Sequence, residues 1–482
     1  MDEKRPIDRA GDAKPAMARR PDPDFSAPAI TTTLHIGTGS DSEPSTPDEE
    51  KKNPIPDNRS IDTDSSSAPL SGPGGAIDDN DFPEGGVRAW LVVLGCWLTL
   101  FASLGLINIL ATFQTYVTAN QLVQYSESTI ACIFSLHTFV SFAAGIYTGP
   151  LFDRYGPRYL LLAGTACLAL SIIFLSISYA HWHFLLAFSL LSGLASALLT
   201  TPSIAAIAHF FHARRGLATG LASTAAPISA ILLPLLFHRL FLALGFTVTI
   251  RVLAALCFAF TLPANFLVRS RLPPPPITKS IHPSPRILTH RPFALTTLAI
   301  FLLQLALFLP LTFLPSSALA LGHSHAFAYS LVALLNTGSV AGRVAAGWAG
   351  DRIGPFNASA FAAAASAALC LGLWLPLGHA RGGMMAFALL FGVASGGGVG
   401  LVPAAVGRLC RAQEYGRYYA TCSAVVSAAV LVGIPIAGRV VEGGGGRYGG
   451  LIVLTGAVYC GAAVAFLAAK VSVVGWRFFV VF

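Results

Sequence analysis

From Trp90 onward the chain consists of apolar runs of about 20 residues separated by short breaks, and a helix of that length crosses a hydrocarbon core about 30 Å thick. Lipid offers no partner to backbone amides, so runs of this kind fold as helices. Twelve spans are predicted: 90–113, 128–150, 157–179, 184–208, 216–240, 247–268, 293–315, 327–349, 356–378, 383–407, 418–440 and 449–471. The connection at 242–247 is itself apolar and makes the fifth and sixth spans the hardest to separate. Only 11% of residues are charged, against about 25% in soluble domains, which excludes an ordinary soluble enzyme or binding domain.

The short breaks carry a repeat. Gly149-Pro150-Leu151-Phe152-Asp153-Arg154-Tyr155-Gly156-Pro157-Arg158 returns 198 residues later as Gly347-Trp348-Ala349-Gly350-Asp351-Arg352-Ile353-Gly354-Pro355-Phe356. Matching charged turns in two membrane halves indicate duplication and a transporter. The longest internal break, 269–292, contains Pro273-Pro274-Pro275-Pro276 and divides the spans into six and six. The expected organisation is an acidic tail at 1–82, bundles at 83–268 and 293–471, a linker at 269–292 and a short tail at 472–482. The fold class is all-α membrane protein: twelve transmembrane helices in two six-helix pseudo-repeats.

Charge is segregated. Residues 1–89 hold 18 of the 23 Asp and Glu. Residues 1–80 are rich in Pro, Ser, Asp and Gly, too poor in apolar surface to offset ordering entropy, and are expected to be disordered. They contain no signal-peptide core. Beyond residue 89 the basic residues fall fifteen on the side of the Asp–Arg turns and five on the other, with Arg343 inside a span. This bias orients both termini to the cytoplasm. Dispersed among apolar runs, these charges are no nucleic-acid surface. The eight cysteines have no metal-ligand spacing and read as buried hydrophobes.

The charged turns resemble the cytoplasmic signature of the major facilitator superfamily. Other segments are similar to its monocarboxylate-transporter-like branch, particularly fungal members. Pro83-Glu84-Gly85-Gly86-Val87-Arg88-Ala89-Trp90 resembles that branch's acidic–Gly–Gly–x–x–x–Trp entry motif. Phe210-Phe211-His212-Ala213-Arg214-Arg215-Gly216-Leu217-Ala218-Thr219-Gly220 resembles its aromatic–Arg–Arg–x–x–Ala–x–Gly motif, and Leu334–Arg343 its eighth helix. The likeness covers roughly residues 82–470.

Arg343 is the foremost candidate for substrate contact. A charge within a span costs a few kcal/mol on insertion scales and is usually kept for function. Asn336, Ser339 and Arg343 follow at +3 and +4 and share one helix face, which can present a guanidinium fork to a carboxylate. Snorkelling is the alternative, since Arg343 lies about six residues, roughly 9 Å, from its span's end. The resemblance implies that an arginine here binds a substrate carboxylate. Proton-coupled members carry an aspartate where this chain has Ser339, and a lysine where it has Asn108, so proton coupling and monocarboxylate specificity are both in question. Asn108, Thr112 and Gln304 are further substrate candidates, and His137 is the candidate proton relay. Asp153, Arg154, Arg158, Asp351, Arg352, Arg214 and Arg215 are expected to latch the halves, with Gly149 and Gly156 permitting the bend. The run Ser395–Gly400 is either a hinge or close packing.

The expected function is secondary active transport of a small organic anion or monocarboxylate, with no cofactor or metal, and with substrate and bilayer as partners; any accessory protein is unknown. Import or export of another metabolite and nutrient sensing are the alternatives. The plasma membrane is the default location and the vacuolar membrane the alternative.

Overall fold

A computed structural model describes residues 82–272 and 285–475. The tail at 1–81, the tetraproline part of the linker and residues 476–482 lie outside the described residues, together with the expectations placed on them.

The helices run in chain order. Helix α1 is Gly86–Asn108, extended beyond a break at Ile109 by Leu110–Ala119. Helix α2 comprises Glu127–Ala143 and Gly145–Tyr155, α3 is Pro157–Ser176 and α4 is His181–Ile207. One continuous stretch, Arg215–Leu267, follows. Gly245 at φ 71, ψ −176 breaks it into α5 (215–244) and α6 (246–267). The second half contains α7 (Arg291–Ala320), α8 (His325–Ile353), α9 (Pro355–Leu377), α10 (Arg381–Gly407), α11 (Tyr415–Gly443) and α12 (Gly449–Val474).

Among the described residues, ten stretches are long and apolar enough to span a membrane. Division at Gly245 turns one of the ten into two. The remaining helix, α8, fails on hydropathy because it carries Asn336, Ser339, Arg343, Asp351, Arg352 and several glycines; its 29 residues are long enough, rising about 43 Å. The twelve-helix architecture follows.

The 198-residue offset governs local structure as well as sequence. Ser126 caps α2 by accepting from the Thr129 amide at 3.3 Å, and Ser324 caps α8 by accepting from Phe327 at 3.3 Å. A serine at this position satisfies one of the free first-turn amides. Gly156 (φ 72) and Gly354 (φ 88) make the left-handed turn that ends α2 and α8. A proline at the first position of α3 and α9 follows each, where its missing amide costs nothing.

Gly149 does not form a bend, contrary to expectation, and neither does its repeat, Gly347. Both lie inside their helices, at places where another helix crosses closely. The small-residue run of α10 is likewise uninterrupted helix. Gly392 and Gly396 lie against Leu335 and Ser339 of α8, and Gly338 and Gly342 of α8 lie against the Leu389 and Val393 carbonyls of α10. Of the two readings of Ser395–Gly400, the geometry is that of close packing. The two halves meet mainly where α2 packs on α11 and α5 on α8.

Candidate functional site

Helices α5 and α11 both begin without a cap of their own. Arg214 and Glu414 occupy their cap positions, and neither gives a side-chain cap bond. In each case the missing acceptor comes from the opposite half. Asp153 of α2 accepts from the Gly416 amide at 2.9 Å and the Arg417 amide at 2.8 Å. Asp351 of α8 accepts from the Gly216 amide at 2.6 Å and the Leu217 amide at 2.8 Å. A carboxylate on first-turn amides combines charge-assisted hydrogen bonds with the positive end of the helix dipole. The glycine one turn before each aspartate makes the approach close enough. A methyl group at Gly149 would run into the Gly416 carbonyl, and one at Gly347 into the Gly216 carbonyl.

Arg215 adds a third tie between the halves. It is 4% exposed and donates to the Gly407 carbonyl at the end of α10 at 2.8 Å, and to Phe211 within its own half at 3.0 Å. The other predicted latch arginines act differently. Arg154 stacks on Tyr155 and Arg352 on Trp348, each beside a residue of its own helix, and the exposed Arg158 lies at the start of α3. Arg214 contributes its backbone amide, which donates to Glu84 Oε2 at 3.0 Å. The contacts between the halves at these turns are therefore carboxylate-to-amide bonds, with Arg215 beside them, rather than a ring of arginines.

Arg343 lies on α8 two turns before Asp351. Its Nε donates to Ser339 Oγ at 3.3 Å and its Nη1 to the backbone carbonyl of Ser223 at 3.0 Å. Ser223 is the last residue of the first segment of α5, Arg215–Ser223. Nη2 has no partner among the described residues. The arginine stem packs against Gly400 of α10 and its backbone against Gly220 of α5. Snorkelling toward the membrane surface does not describe this side chain, which spans the two halves at their inner contact.

The other sequence candidates are distributed unevenly. Ser339 orients the arginine. The Asn336 amide donates to Val332 of its own helix at 2.9 Å. The Asn108 amide joins α1 to α5 through Ala226 O and Ser229 Oγ, both at 2.8 Å, so its donors are taken. Thr112 is half-buried. Gln304 Oε1 is buried without a hydrogen-bond partner among the described residues. His137 is fully buried between α2 and α4, with Nδ1 2.9 Å from Ser192 Oγ and 3.2 Å from Phe188 O; its Nε2 has no partner among the described residues. Its contacts are those of a helix–helix tie, and they do not join it to Arg343.

A groove of about 700 Å³ lies on the α3–α4 surface, lined by Tyr179, Trp182, His183, Leu186, Leu190 and Leu194 among others. Its lining holds no arginine, lysine or carboxylate. Sequence reasoning missed Gly416, Ser223 and the bonds of Glu84. Gly416 had a readable signal: like Gly216, it sits in the first turn of a helix that lacks a polar cap.

Comparison with known proteins agrees with this architecture. The model of the Major Facilitator Superfamily matches residues 95–380. An MFS-type transporter of Gibberella moniliformis is 35% identical over 399 residues, covering 83% of this chain and 94% of the relative. The aspyridones efflux protein of Emericella nidulans is 31% identical over 402 residues, 83% of this chain and 81% of the relative. The crystal structure of the transporter FucP in its outward conformation superposes with a TM-score of 0.64 at 17% identity, over 80% of this chain and 98% of that one.

Proposed function

The chain belongs to the Major Facilitator Superfamily, as a multi-pass membrane transporter of small molecules and not an enzyme, and within that class we propose that it exports an organic anion by alternating access. The observation that carries the anion is Arg343. Its guanidinium is held at Nε and Nη1 while Nη2 has no hydrogen-bond partner among the described residues, so a fork with one prong open to a ligand stands at the contact between the halves. A guanidinium is suited to carboxylates and related anions because its planar donors match their oxygens. The direction is supported by relatives named as efflux proteins.

The basic residues concentrate at the end bearing the Asp–Arg turns, which we take to be cytoplasmic. Both aspartate latches are closed at that end, so the structure corresponds to the outward-facing member of the cycle. Export then requires both latches to release, substrate to reach Arg343 from the cytoplasm, and the latches to re-form. An anion approaching Nη2 also competes with the Ser223 carbonyl for the guanidinium, which couples binding to the α5–α8 contact.

The monocarboxylate-transporter-like branch is supported by the entry motif at Glu84–Trp90 and the Arg214–Gly220 motif. Ser339 cannot titrate, so proton coupling requires another group, and His137 is the candidate. The plasma membrane is the location we assign. Flux in reconstituted vesicles tests the proposal, screening organic acids against neutral metabolites of similar size with and without a pH gradient. Transport of acids over neutral analogues supports it. Transport of neutral compounds alone would reject the anion reading, and flux indifferent to the gradient would remove the proton.

A further inference from the structure

The turn between α4 and α5 is held by two carboxylates, and only one of them belongs to the latch. Glu84, just before α1, accepts from three successive amides: His212 at 2.6 Å and Ala213 at 2.7 Å on Oε1, and Arg214 at 3.0 Å on Oε2. The next amides of the α5 start, Gly216 and Leu217, go to Asp351. Glu84 is held in place for this. Its own amide donates to the Phe210 carbonyl at 3.2 Å, and its backbone has φ 47, a left-handed conformation unfavourable for a non-glycine residue. Rings on either side clasp the same turn, Phe82 against His212 at 5.4 Å and Trp90 against Phe211 at 5.2 Å.

Among the described residues, no acidic residue before α7 repeats this brace at the other latch. The residues preceding α7, 285–290, contain no acidic residue, and the amide of Glu414 before α11 goes to the Arg411 carbonyl of its own turn at 3.0 Å. The bonds of Glu84 lie entirely within one half, so they persist when the halves separate, whereas those of Asp351 are broken and remade.

We propose that Glu84 is the positioning residue of the α5–α8 latch: it fixes the α4–α5 turn so that the Gly216 and Leu217 amides meet Asp351, and thereby sets how readily the Asp–Arg end opens. This rests on the alternating-access reading above. It also explains why the entry motif places an acidic residue and two glycines at the start of α1. The acid reaches the turn, and Gly85 and Gly86, at φ 159 and 82, bend the chain back into the helix.

Cys410 supplies a native probe. It lies half-buried in the α10–α11 turn, its Sγ 3.5 Å from the Val406 carbonyl, with Arg215 of the opposite half close enough to act on its charge; burial pushes its thiol up to about 12. Opening of the Asp–Arg end uncovers it. The experiment measures alkylation of Cys410 by mass spectrometry at pH 8 in full-length protein, with buried Cys96 and Cys257 as reporters of unfolding. Glu84→Ala and Asp351→Asn are each expected to raise the Cys410 rate about tenfold, a coupling of ordinary size. Glu84→Gln, which keeps one acceptor oxygen, should fall between Glu84→Ala and the unchanged chain. The double variant Glu84→Ala/Asp351→Asn should label no more than about twofold faster than the faster single variant, because both act on one latch.

A Glu84→Ala rate within twofold of the unchanged chain, or a double-variant rate equal to the product of the single effects, would overturn the proposal. Labelling of Cys96 and Cys257 in Glu84→Gln would also overturn it, by making Glu84 a residue of folding alone. Failure of Asp351→Asn to raise the rate would instead reject the latch.

Discussion

Arg343 Nη1 donates to the Ser223 carbonyl at 3.0 Å, from α8 of one half to α5 of the other. The same guanidinium is held at Nε by Ser339. Ser339→Ala removes that second hold without removing the charge. A side-chain hydrogen bond to a charged donor contributes about 1.5–3 kcal/mol, and positioning uses part of it. Substrate KM is expected to rise about tenfold with membrane expression unchanged, measured as initial flux in vesicles. An unaltered KM would mean that Ser339 does not orient the fork.

The Asp153 latch makes a separate prediction. Asp153→Asn keeps the side-chain shape and leaves one acceptor oxygen, but loses the charge that strengthens both bonds to α11. The open form of the Asp–Arg end should gain more than tenfold in population. Spin labels at the exposed Arg158, at the start of α3, and the exposed Arg411, in the α10–α11 turn, would report this as a longer distance. A distance distribution identical to that of the unchanged protein would remove Asp153 from the latch.

Two kinds of glycine contact should separate on substitution. Gly149 meets Gly416 across the halves, whereas Gly342 meets Val393 between α8 and α10 of the same half. A methyl at Gly149 clashes only in the closed state, so Gly149→Ala should open the Asp–Arg end with little change in melting temperature. A methyl at Gly342 clashes in every state. Overpacking of this kind costs about 1–3 kcal/mol, so Gly342→Ala should lower the melting temperature by several degrees. Equal melting temperatures for the two variants would contradict this division.

His209 gives the closed structure a pH dependence. It lies beyond the end of α4, with Nδ1 2.8 Å from Ser270 Oγ. Burial holds its imidazole down to about 4, with Arg215 and Arg271 acting in the same direction and the Ala412 backbone opposing. Protonation therefore favours the unfolded or opened chain. The stability is fully present above the ordinary histidine value near 6.5 and is lost as pH falls toward 4. At pH 5 the loss is about 2 kcal/mol, visible as a lower melting temperature than at pH 7. His209→Gln should flatten that slope, and an unchanged slope would assign it to other groups.

The fold was legible because lipid makes run length and period decisive. The 198-residue offset predicted Asp153 and Asp351 as equivalents, and they are equivalent down to the two amides each accepts from. The partners of the repeat were not legible. Gly149 read as a bend because glycine beside a charged turn usually is one, and only the crossing with Gly416 reveals its use as a contact. Ser223 could not have been singled out, since its carbonyl, not its side chain, meets Arg343. Asn108 looked like a substrate ligand from helix-face spacing alone, yet α5 takes both of its donors. One-dimensional spacing identifies a face but does not say what packs against it.

The most direct test of the account compares an organic acid with its uncharged methyl ester in reconstituted vesicles, for the unchanged protein and for Arg343→Gln. The unchanged protein should carry the acid at least tenfold faster than the ester, and Arg343→Gln should lose that preference by slowing the acid while leaving the latches closed. Undiminished transport of the acid by Arg343→Gln would contradict the assignment of Arg343 as the anion site.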